Sequence, residues 1–284
     1  MQAHQDEFPI RRMCRVLAVT PSGYYAWRDR PESAQARANR KLVQEIRAVH
    51  AKSRGTYGSL RVHADLRLRG FRVGKNRIAR LMRLEKLYGR RKKKYPHTTD
   101  SQHDDPVAPN LLDRDFQAKR PNEKWLADIT YIPTAEGWLY LAVVMDLFSR
   151  KIVGWAFADH LESNLVERAF QMAVHNGYAL HGLIHHSDRG SQYAAQAYQQ
   201  LLVAQHMQVS MSRSGNCYDN APMESFFSTL KGEQVHFQNY QTRQEATTDI
   251  FFYIVGFYNR QRLHSSLAYL SPEEFERRYY LNLS

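Results

Sequence analysis

Residues 124–146 read KWLADITYIPTAEGWLYLAVVMD, and this stretch decides the fold class. It contains two β-rich runs, residues 124–132 and 138–146, on either side of a Pro- and Gly-containing turn, and a third run follows at residues 151–158. Runs rich in β-branched and aromatic residues that are bounded by turn residues predict strands. Asp128 falls in the middle of the first run, where a charge among apolar neighbours is costly unless it is paired or bound to a metal.

Helical and strand-like segments alternate after these three runs. In chain order they cover residues 163–176 (helix), 183–186 (strand), 192–206 (helix), 207–211 (strand) and 222–231 (helix). This succession predicts an α/β core with a mixed five-stranded sheet and flanking helices. We place this core at residues 121–240 and a helical tail at residues 241–284.

The first 95 residues are strongly basic and have helical periodicity. They hold 25 Lys and Arg against 7 Asp and Glu, whereas the rest of the chain holds 15 against 21. Such an asymmetry indicates a polyanion-binding region, with a merely soluble basic surface as the alternative. We predict two helical units, a helix-turn-helix-like segment at residues 1–35 and a second DNA-binding unit at residues 36–95. A basic and polar linker at residues 96–120 would follow.

The second helical unit has three apolar stripes at helical spacing. They consist of Leu42, Ile46 and Val49; of Leu60, Ala64 and Leu68; and of Ile78, Leu81, Met82 and Leu84. The last helix also carries the basic residues Lys75, Arg77, Arg80 and Arg83, and the run after it includes Arg91, Lys92 and Lys93. Apolar residues on one face and guanidinium groups on the other are typical of a DNA-reading helix. An amphipathic helix with a solvated basic face is the alternative.

Two further acids stand at places where functional residues gather. Asp188 follows the strand-like run 183–186, and the carboxyl ends of strands in α/β sheets commonly carry binding residues. Glu224 lies in the first turn of the helix at residues 222–231, where the helix dipole favours negative charge. Taken singly, Asp188 suits a turn and Glu224 a helix start. However, 59 residues separate Asp128 from Asp188, and 35 separate Asp188 from Glu224.

This spacing resembles that of the DDE transposases and retroviral-type integrases. Similarity to the bacterial insertion-sequence transposases of the IS-three group, whose second reading frame supplies the catalytic half, extends over nearly the whole chain. It rests on residues 125–131, 144–150, 185–193, 210–232 and 258–264. The resemblance implies a ribonuclease-H-like integrase core preceded by an all-helical helix-turn-helix region.

The resemblance also implies a mechanism. Asp128, Asp188 and Glu224 would hold two Mg²⁺ or Mn²⁺ ions, with Asp128 bridging them, and hard carboxylate oxygens suit these ions rather than zinc. Lys231 shares a helix face with Glu224 and would contact DNA near the scissile phosphate; a helix-end lysine favoured by the dipole is the alternative. Asn216 and Tyr218 would touch DNA, although a role in forming the loop explains them equally well.

The expected partners follow from this family. They are the terminal inverted repeats of the element, target DNA, one or more further copies of the chain on DNA, and the upstream reading-frame product as a partner or fusion. No long apolar run, signal-peptide core or Cys-x-x-Cys motif is present, so we expect a cytoplasmic, nucleoid-associated protein without a membrane role. Two rivals are a regulator that keeps the fold without catalysis and a nuclease or resolvase of the same fold.

Overall fold

A computed structural model describes residues 1–90, 108–175, 180–213 and 217–283. The DNA-contact candidates Arg91, Lys92, Lys93 and Asn216 lie outside these described residues. The chain separates into two compact units, Met1–Ala48 and Val49–Ser284. None of the helices in the described ranges is long and apolar enough to cross a membrane.

The helices are α1 (Ile10–Val16), α2 (Pro21–Arg28), α3 (Ala34–Lys52), α4 (Ser59–Leu68), α5 (Lys75–Leu84), α6 (Ser163–Val174), α7 (Ser191–Ala194), α8 (Gln196–Ala204), α9 (Ala221–Glu233), α10 (Arg243–Phe252) and α11 (Pro272–Leu281). The strands are β1 (Lys124–Thr134), β2 (Gly137–Asp146), β3 (Ile152–Ala158), β4 (Ile184–Ser187) and β5 (Gln208–Met211). The structure confirms the predicted all-helical region before β1 and the predicted mixed α/β arrangement from β1 onward.

Local sequence signals explain where the N-terminal helices begin. The Thr20 hydroxyl accepts a hydrogen bond from the Gly23 backbone N–H at 3.1 Å, and Pro21 occupies the first turn of α2. α1 begins at Ile10, because Pro9 is extended and precedes the first helical residue. A residue before proline is itself disfavoured in the helical conformation, so the helix does not start earlier.

Of the apolar stripe predicted for α4, Ala64 is buried, but Leu60 and Leu68 are not. Leu60 is 59% exposed and Leu68 is 55% exposed, whereas Val62 and Leu66 are fully buried. Both sets recur at i, i+4, so helical periodicity alone does not distinguish them. The stripe Leu42, Ile46 and Val49 on α3 is buried as predicted.

On α5 the prediction holds for most of the helix but fails at its end. Ile78, Leu81 and Met82 are buried, whereas Leu84 is 68% exposed. Leu84 stands six residues after Ile78, which at 3.6 residues per turn places it well away from the buried face.

The sheet has the strand order β3-β2-β1-β4-β5. β2 is antiparallel to both β1 and β3, whereas β1 pairs in parallel with β4 and β4 in parallel with β5. This is the predicted ribonuclease-H-like arrangement of an integrase core, with three meandering strands followed by two that return through helices.

Helices cover both faces of the sheet. Trp125 and Ala127 of β1 pack into one core with residues of α6, α7 and α8. Successive residues of a strand point to opposite faces, so Leu126 and Asp128 face the other side, where α9 and α10 contact β1. On β3, a Cβ at Gly154 would meet the Ala169 carbonyl oxygen at 2.1 Å, so glycine is needed for the close approach of α6.

The helix predicted over residues 192–206 is interrupted. Ala195 is extended (φ −52°, ψ 130°) and separates α7 from α8. The break lets both Tyr193 and Tyr198 enter the core, where their ring centres are 5.6 Å apart. The Gln199 side chain donates to the Tyr193 carbonyl, which replaces a backbone hydrogen bond lost at the break.

The C-terminal tail packs back onto the sheet. The Asn259 side-chain amide donates to the Ile152 carbonyl at 2.9 Å and accepts from the Ile152 backbone N–H at 3.0 Å. One side chain thereby satisfies both backbone groups at the start of β3, and this fastens the tail to the outer strand of the sheet.

Candidate active site

Asp128 of β1 and Asp188, which directly follows β4, lie at matching positions because β1 and β4 are neighbouring parallel strands. The register of β1 and β4 pairs Leu126 with His186, and each acid stands two residues beyond this pair. Asp128 is therefore in the interior of β1, and Asp188 directly follows β4, as predicted. Adjacent strands are about 4.8 Å apart, so the two carboxylates share one small region at the carboxyl end of β4.

Glu224 reaches this region from a helix. It lies in the first turn of α9, which begins at Ala221 with Pro222 in its first turn. The Asn220 amide donates to the Ala127 carbonyl at 3.4 Å and so joins the start of α9 to β1 one residue before Asp128. The predicted position of Glu224 at a helix start is confirmed.

The pKa of Asp128 depends on both of the other acids. Burial raises the pKa of Asp128 well above its ordinary value, and the negative charges of Asp188 and Glu224 raise it further. Two groups lower this pKa. They are the Ile129 backbone N–H, which donates to the Asp128 carboxylate at 2.8 Å, and the Lys231 ammonium. A partly buried carboxylate beside two others favours its protonated form until a cation compensates the repulsion.

A tight turn orients the Asp188 carboxylate. The Gly190 backbone N–H donates to Asp188 Oδ1 at 3.0 Å. A Cβ at Gly190 would lie only 3.1 Å from the same oxygen, so a larger residue there would push the carboxylate aside. Glycine at this position keeps the carboxylate close to the backbone that holds it.

Lys231, on the same helix as Glu224, interacts electrostatically with Asp128. Its ammonium nitrogen lies 4.7 Å from the centre of the Tyr131 ring of β1. Burial lowers the pKa of Lys231, and Asp128 partly offsets this. Lys231 lies in the last turn of α9. The Tyr131 ring and the Asp128 carboxylate nevertheless hold its ammonium group at the edge of the acidic region.

The candidate metal ligands are all carboxylates. Among the residues that the structure describes, no group of three or more His, Cys, Asp or Glu side chains is placed to hold a metal ion. Hard oxygen ligands of this kind suit Mg²⁺ and Mn²⁺, whose remaining positions are filled by water or substrate oxygens.

His185 and His186 are buried and bonded to neighbouring side chains. His185 is fully buried, shares a 3.1 Å hydrogen bond with the Tyr198 hydroxyl and packs against Phe170. His186 is bonded to the hydroxyl of Ser210. Burial lowers the pKa of His185 to about 3 and that of His186 to about 4, so both are neutral near pH 7.

Asp219 is not the N-cap of α9 that its position indicates. Asn220 stands at the cap, and the buried Asp219 carboxylate instead accepts two hydrogen bonds from the Arg213 guanidinium and one each from Arg114 and Asn110. The Arg213 hydrogen bonds hold the pKa of Asp219 well below its usual range, although burial opposes them. No local pattern reveals this cluster, because Arg114 is 105 residues away in sequence.

The predicted DNA contacts that fall on described residues are accessible in most cases. Lys75, Arg80 and Arg83 are exposed on α5, and Arg77 is half-buried. Tyr218 is 68% exposed just before α9, with the Arg114 guanidinium 5.7 Å from its ring centre.

Models of known families match three stretches of the chain. A model described as "HTH-like domain" matches residues 37–95, and models described as "Integrase core domain" match residues 118–217 and 224–279. The second range contains Asp128 and Asp188, and Glu224 is the first residue of the third.

Curated relatives match over almost their full length. The "Insertion element IS600 uncharacterized 31 kDa protein" of Shigella sonnei is 44% identical, with 94% of this chain and 98% of that protein covered. The "Transposase InsF for insertion sequence IS3A" of Escherichia coli is 40% identical, with 97% of this chain and 96% of that protein covered.

Solved structures with a similar fold include the HTLV-2 integrase catalytic core domain in complex with magnesium. It is 15% identical, with a TM-score of 0.45 over 56% of this chain and 99% of that one. A chain of the simian T-cell lymphotropic virus intasome in complex with PP2A regulatory subunit B56 gamma is 13% identical, with a TM-score of 0.48 over 81% of this chain and 74% of that one.

Proposed function

The chain belongs to the IS3-type insertion-sequence transposases, and from this membership we propose that it catalyses metal-dependent cleavage of DNA 3′ ends and transfer of those ends to target DNA. The observation that carries the proposal is the pairing of Leu126 with His186, which places Asp128 in β1 and Asp188 just after β4 at matching positions. These two carboxylates, with Glu224 acting on the same site, concentrate negative charge that bound cations would compensate.

The metal ligands in this proposal are the three acids. Asp128, Asp188 and Glu224 would together hold the Mg²⁺ or Mn²⁺ ions. When bound, such ions supply activation of the attacking oxygen and stabilisation of the leaving 3′ oxygen. The protein contributes the placement: a rigid strand interior for Asp128, a glycine-tightened turn for Asp188 and a helix start for Glu224.

The reaction needs no protein nucleophile. In the first step water attacks a phosphodiester at the element end, which breaks one P–O bond and leaves a 3′-OH. In the second step this hydroxyl attacks a phosphodiester of the target, so one P–O bond forms as another breaks. Lys231, held against the Tyr131 ring, binds phosphate oxygens beside the acids and orients the strand for both steps.

DNA recognition in this proposal lies mainly with the helix-turn-helix-like region. The exposed Lys75, Arg80 and Arg83 of α5 face phosphates and base edges of the terminal inverted repeats, and Tyr218 contacts DNA next to the catalytic helix. Two element ends react together, so the working form on DNA is a homodimer or a larger assembly, to which the upstream reading-frame product contributes as a partner or fusion.

A strand-transfer assay on DNA that carries the ends of the encoding element tests the proposal. The wild-type chain should give joined products with Mg²⁺ or Mn²⁺ and none with EDTA. Asp128→Asn should lower product formation on the order of 10³-fold or more, since metal stabilisation of the transition state is worth several kcal/mol. Asp159→Asn, at an exposed acid just after β3, is the matched control and should retain full activity.

Each rival function predicts a different result in the same assay. A regulator would bind the ends but give neither cleavage nor joining under any metal condition. A nuclease would give metal-dependent cleavage without joined products. Undiminished joining by Asp128→Asn would refute the catalytic assignment itself.

A further inference from the structure

A polar cavity lies beside α9, on a different side of the helix from the acids. Its volume is about 400 Å³, and α9 lines it with Ala221, Pro222, Ser225 and Thr229. Glu224 and Lys231 are two turns apart and share another face of the same helix. The remaining walls come from α4, from the turn after β2 and from the tail, through Arg61, Arg150, His264 and Ser265.

Arg150 is the unusual residue of this cavity. Its side chain is half-buried, yet the guanidinium makes no hydrogen bond or ion pair with any residue in the described part of the chain. Burial lowers its pKa, while Tyr258 and Asp146 act in the opposite direction. A guanidinium withdrawn from water without a partner is destabilising, so its presence calls for an explanation.

The backbone conformation of Arg150 is energetically unfavourable. Its φ is +60°, a left-handed conformation that only a few per cent of non-glycine residues adopt. The nearest acid, Asp146, is already engaged, because its carboxylate accepts hydrogen bonds from the Ser149 N–H and hydroxyl and from the Asn122 N–H. Asp146 therefore stabilises the turn and leaves the Arg150 donors available.

The other cations of the cavity share a single acid. Arg262 forms two hydrogen bonds of 2.7 Å with Glu233, and the Arg61 guanidinium lies 3.3 Å from the same carboxylate. With Asp146 included, three guanidinium groups face two carboxylates, so the cavity has a positive excess carried by Arg150. Exposed hydroxyls at Ser265 and Ser266 add neutral donors at its rim.

We propose that this cavity is a phosphate-binding site, with Arg150 as the principal contact, that holds a backbone phosphate of the DNA strand engaged at the active site. A guanidinium fork surrounded by hydroxyl donors matches the geometry and charge of a phosphate group. A helix with its side chains is about 10 Å across, a distance that about three nucleotides of one strand span. A strand lying across the start of α9 thus reaches both the acids and Arg150. The DNA assignment rests on the proposed function, whereas phosphate binding by the cavity does not.

Thermal unfolding in EDTA with inorganic phosphate as the probe tests the site without catalysis. Phosphate should raise the melting temperature of the wild-type chain relative to chloride of equal ionic strength. Arg150→Gln should lose most of this increase but still fold, because the wild-type side chain makes no hydrogen bond within the described residues. Ser266→Asp, which places a carboxylate at the rim, should have the same effect. The control Arg277→Gln removes the same charge from an exposed position and should respond as the wild type does.

Binding of short DNA duplexes in EDTA identifies the source of the phosphate. Arg150→Gln should weaken binding and reduce the slope of log affinity against log salt by about one, as expected for one lost phosphate contact. Equal phosphate stabilisation of wild type and Arg150→Gln would overturn the site. A lost phosphate response with unchanged DNA affinity and salt slope would overturn the DNA assignment and indicate a free phosphate instead. Because both measurements are metal-free, an inactive catalytic centre would not affect either result.

Discussion

Glu233 at the end of α9 and Arg262 of the C-terminal tail form a buried ion pair with two hydrogen bonds of 2.7 Å. Both residues are at most 5% exposed. The Tyr253 hydroxyl also donates to Glu233, and Arg61 of α4 approaches it at 3.3 Å. The Glu233 carboxylate therefore connects α9 with the C-terminal tail and with α4.

We expect Glu233→Gln to reduce the free energy of unfolding by about 3–5 kcal/mol, because it leaves Arg262 buried without its counter-charge. Urea unfolding followed by circular dichroism measures the change. Glu274→Gln is the control, since Glu274 pairs with the mostly exposed Arg277 and should cost about 1 kcal/mol or less. Equal effects of the two variants would show that burial of the Glu233 pair is unimportant.

Asp128 should make the metal-free protein less stable as the pH rises. Its pKa is raised in the folded state, so between the ordinary value of about 3.9 and the raised value the folded chain binds more protons than the unfolded chain. Stability from this group is thus complete below about pH 3.9 and is lost as the pH increases through the folded pKa.

The difference in unfolding free energy between Asp128→Asn and wild type in EDTA measures this effect. It should grow in favour of the variant as the pH rises, and Mg²⁺ should stabilise wild type but not Asp128→Asn. A pH-independent difference would contradict the assignment of the raised pKa to Asp128.

Lys231 should affect the reaction more than the fold. Loss of a charged contact with a phosphate costs about 1.5–3 kcal/mol, so Lys231→Gln should reduce strand transfer about tenfold to a hundredfold. Lys231→Arg should restore part of the rate. Tyr131→Leu removes the ring below the ammonium and should lower the rate by a smaller factor, since this contact is worth about 0.5–2 kcal/mol.

Melting temperatures of the same variants provide the control for Lys231. If the rate falls only in proportion to a loss of folded protein, the lysine is structural and does not position DNA.

Arg80 on α5 should contribute to DNA binding through phosphates or bases. Arg80→Gln should weaken binding to element-end DNA, and the slope of log affinity against log salt should fall by about one if the contact is a phosphate. Arg278→Gln on α11 is the charge-matched control. Fluorescence anisotropy at several salt concentrations measures both, and identical curves for wild type and Arg80→Gln would exclude α5 as a DNA-contacting helix at this position.

Local signals in the sequence were sufficient to place the three acids. β-rich runs bounded by turn residues predicted the strand around Asp128, a short apolar run predicted the strand before Asp188, and Pro222 marked the start of the helix that carries Glu224. These features depend on interactions between residues a few positions apart, which periodicity and turn chemistry describe well.

Tertiary contacts decided what local patterns left open. α4 has two apolar stripes of equal spacing, and only its partners select Val62 and Leu66 for burial. The helix break at Ala195 depends on the space that the core offers to two tyrosine rings.

What the sequence by itself determined about this protein is its fold class, its basic N-terminal region and the positions of Asp128, Asp188 and Glu224 on their strands and helix. What only the tertiary structure decided is which distant groups meet, such as Asp219 with Arg114, or Arg150 with the cavity beside α9. The physical reason is that a charge is stabilised by whatever surrounds it in space, and residues far apart in sequence leave no local pattern of their contact.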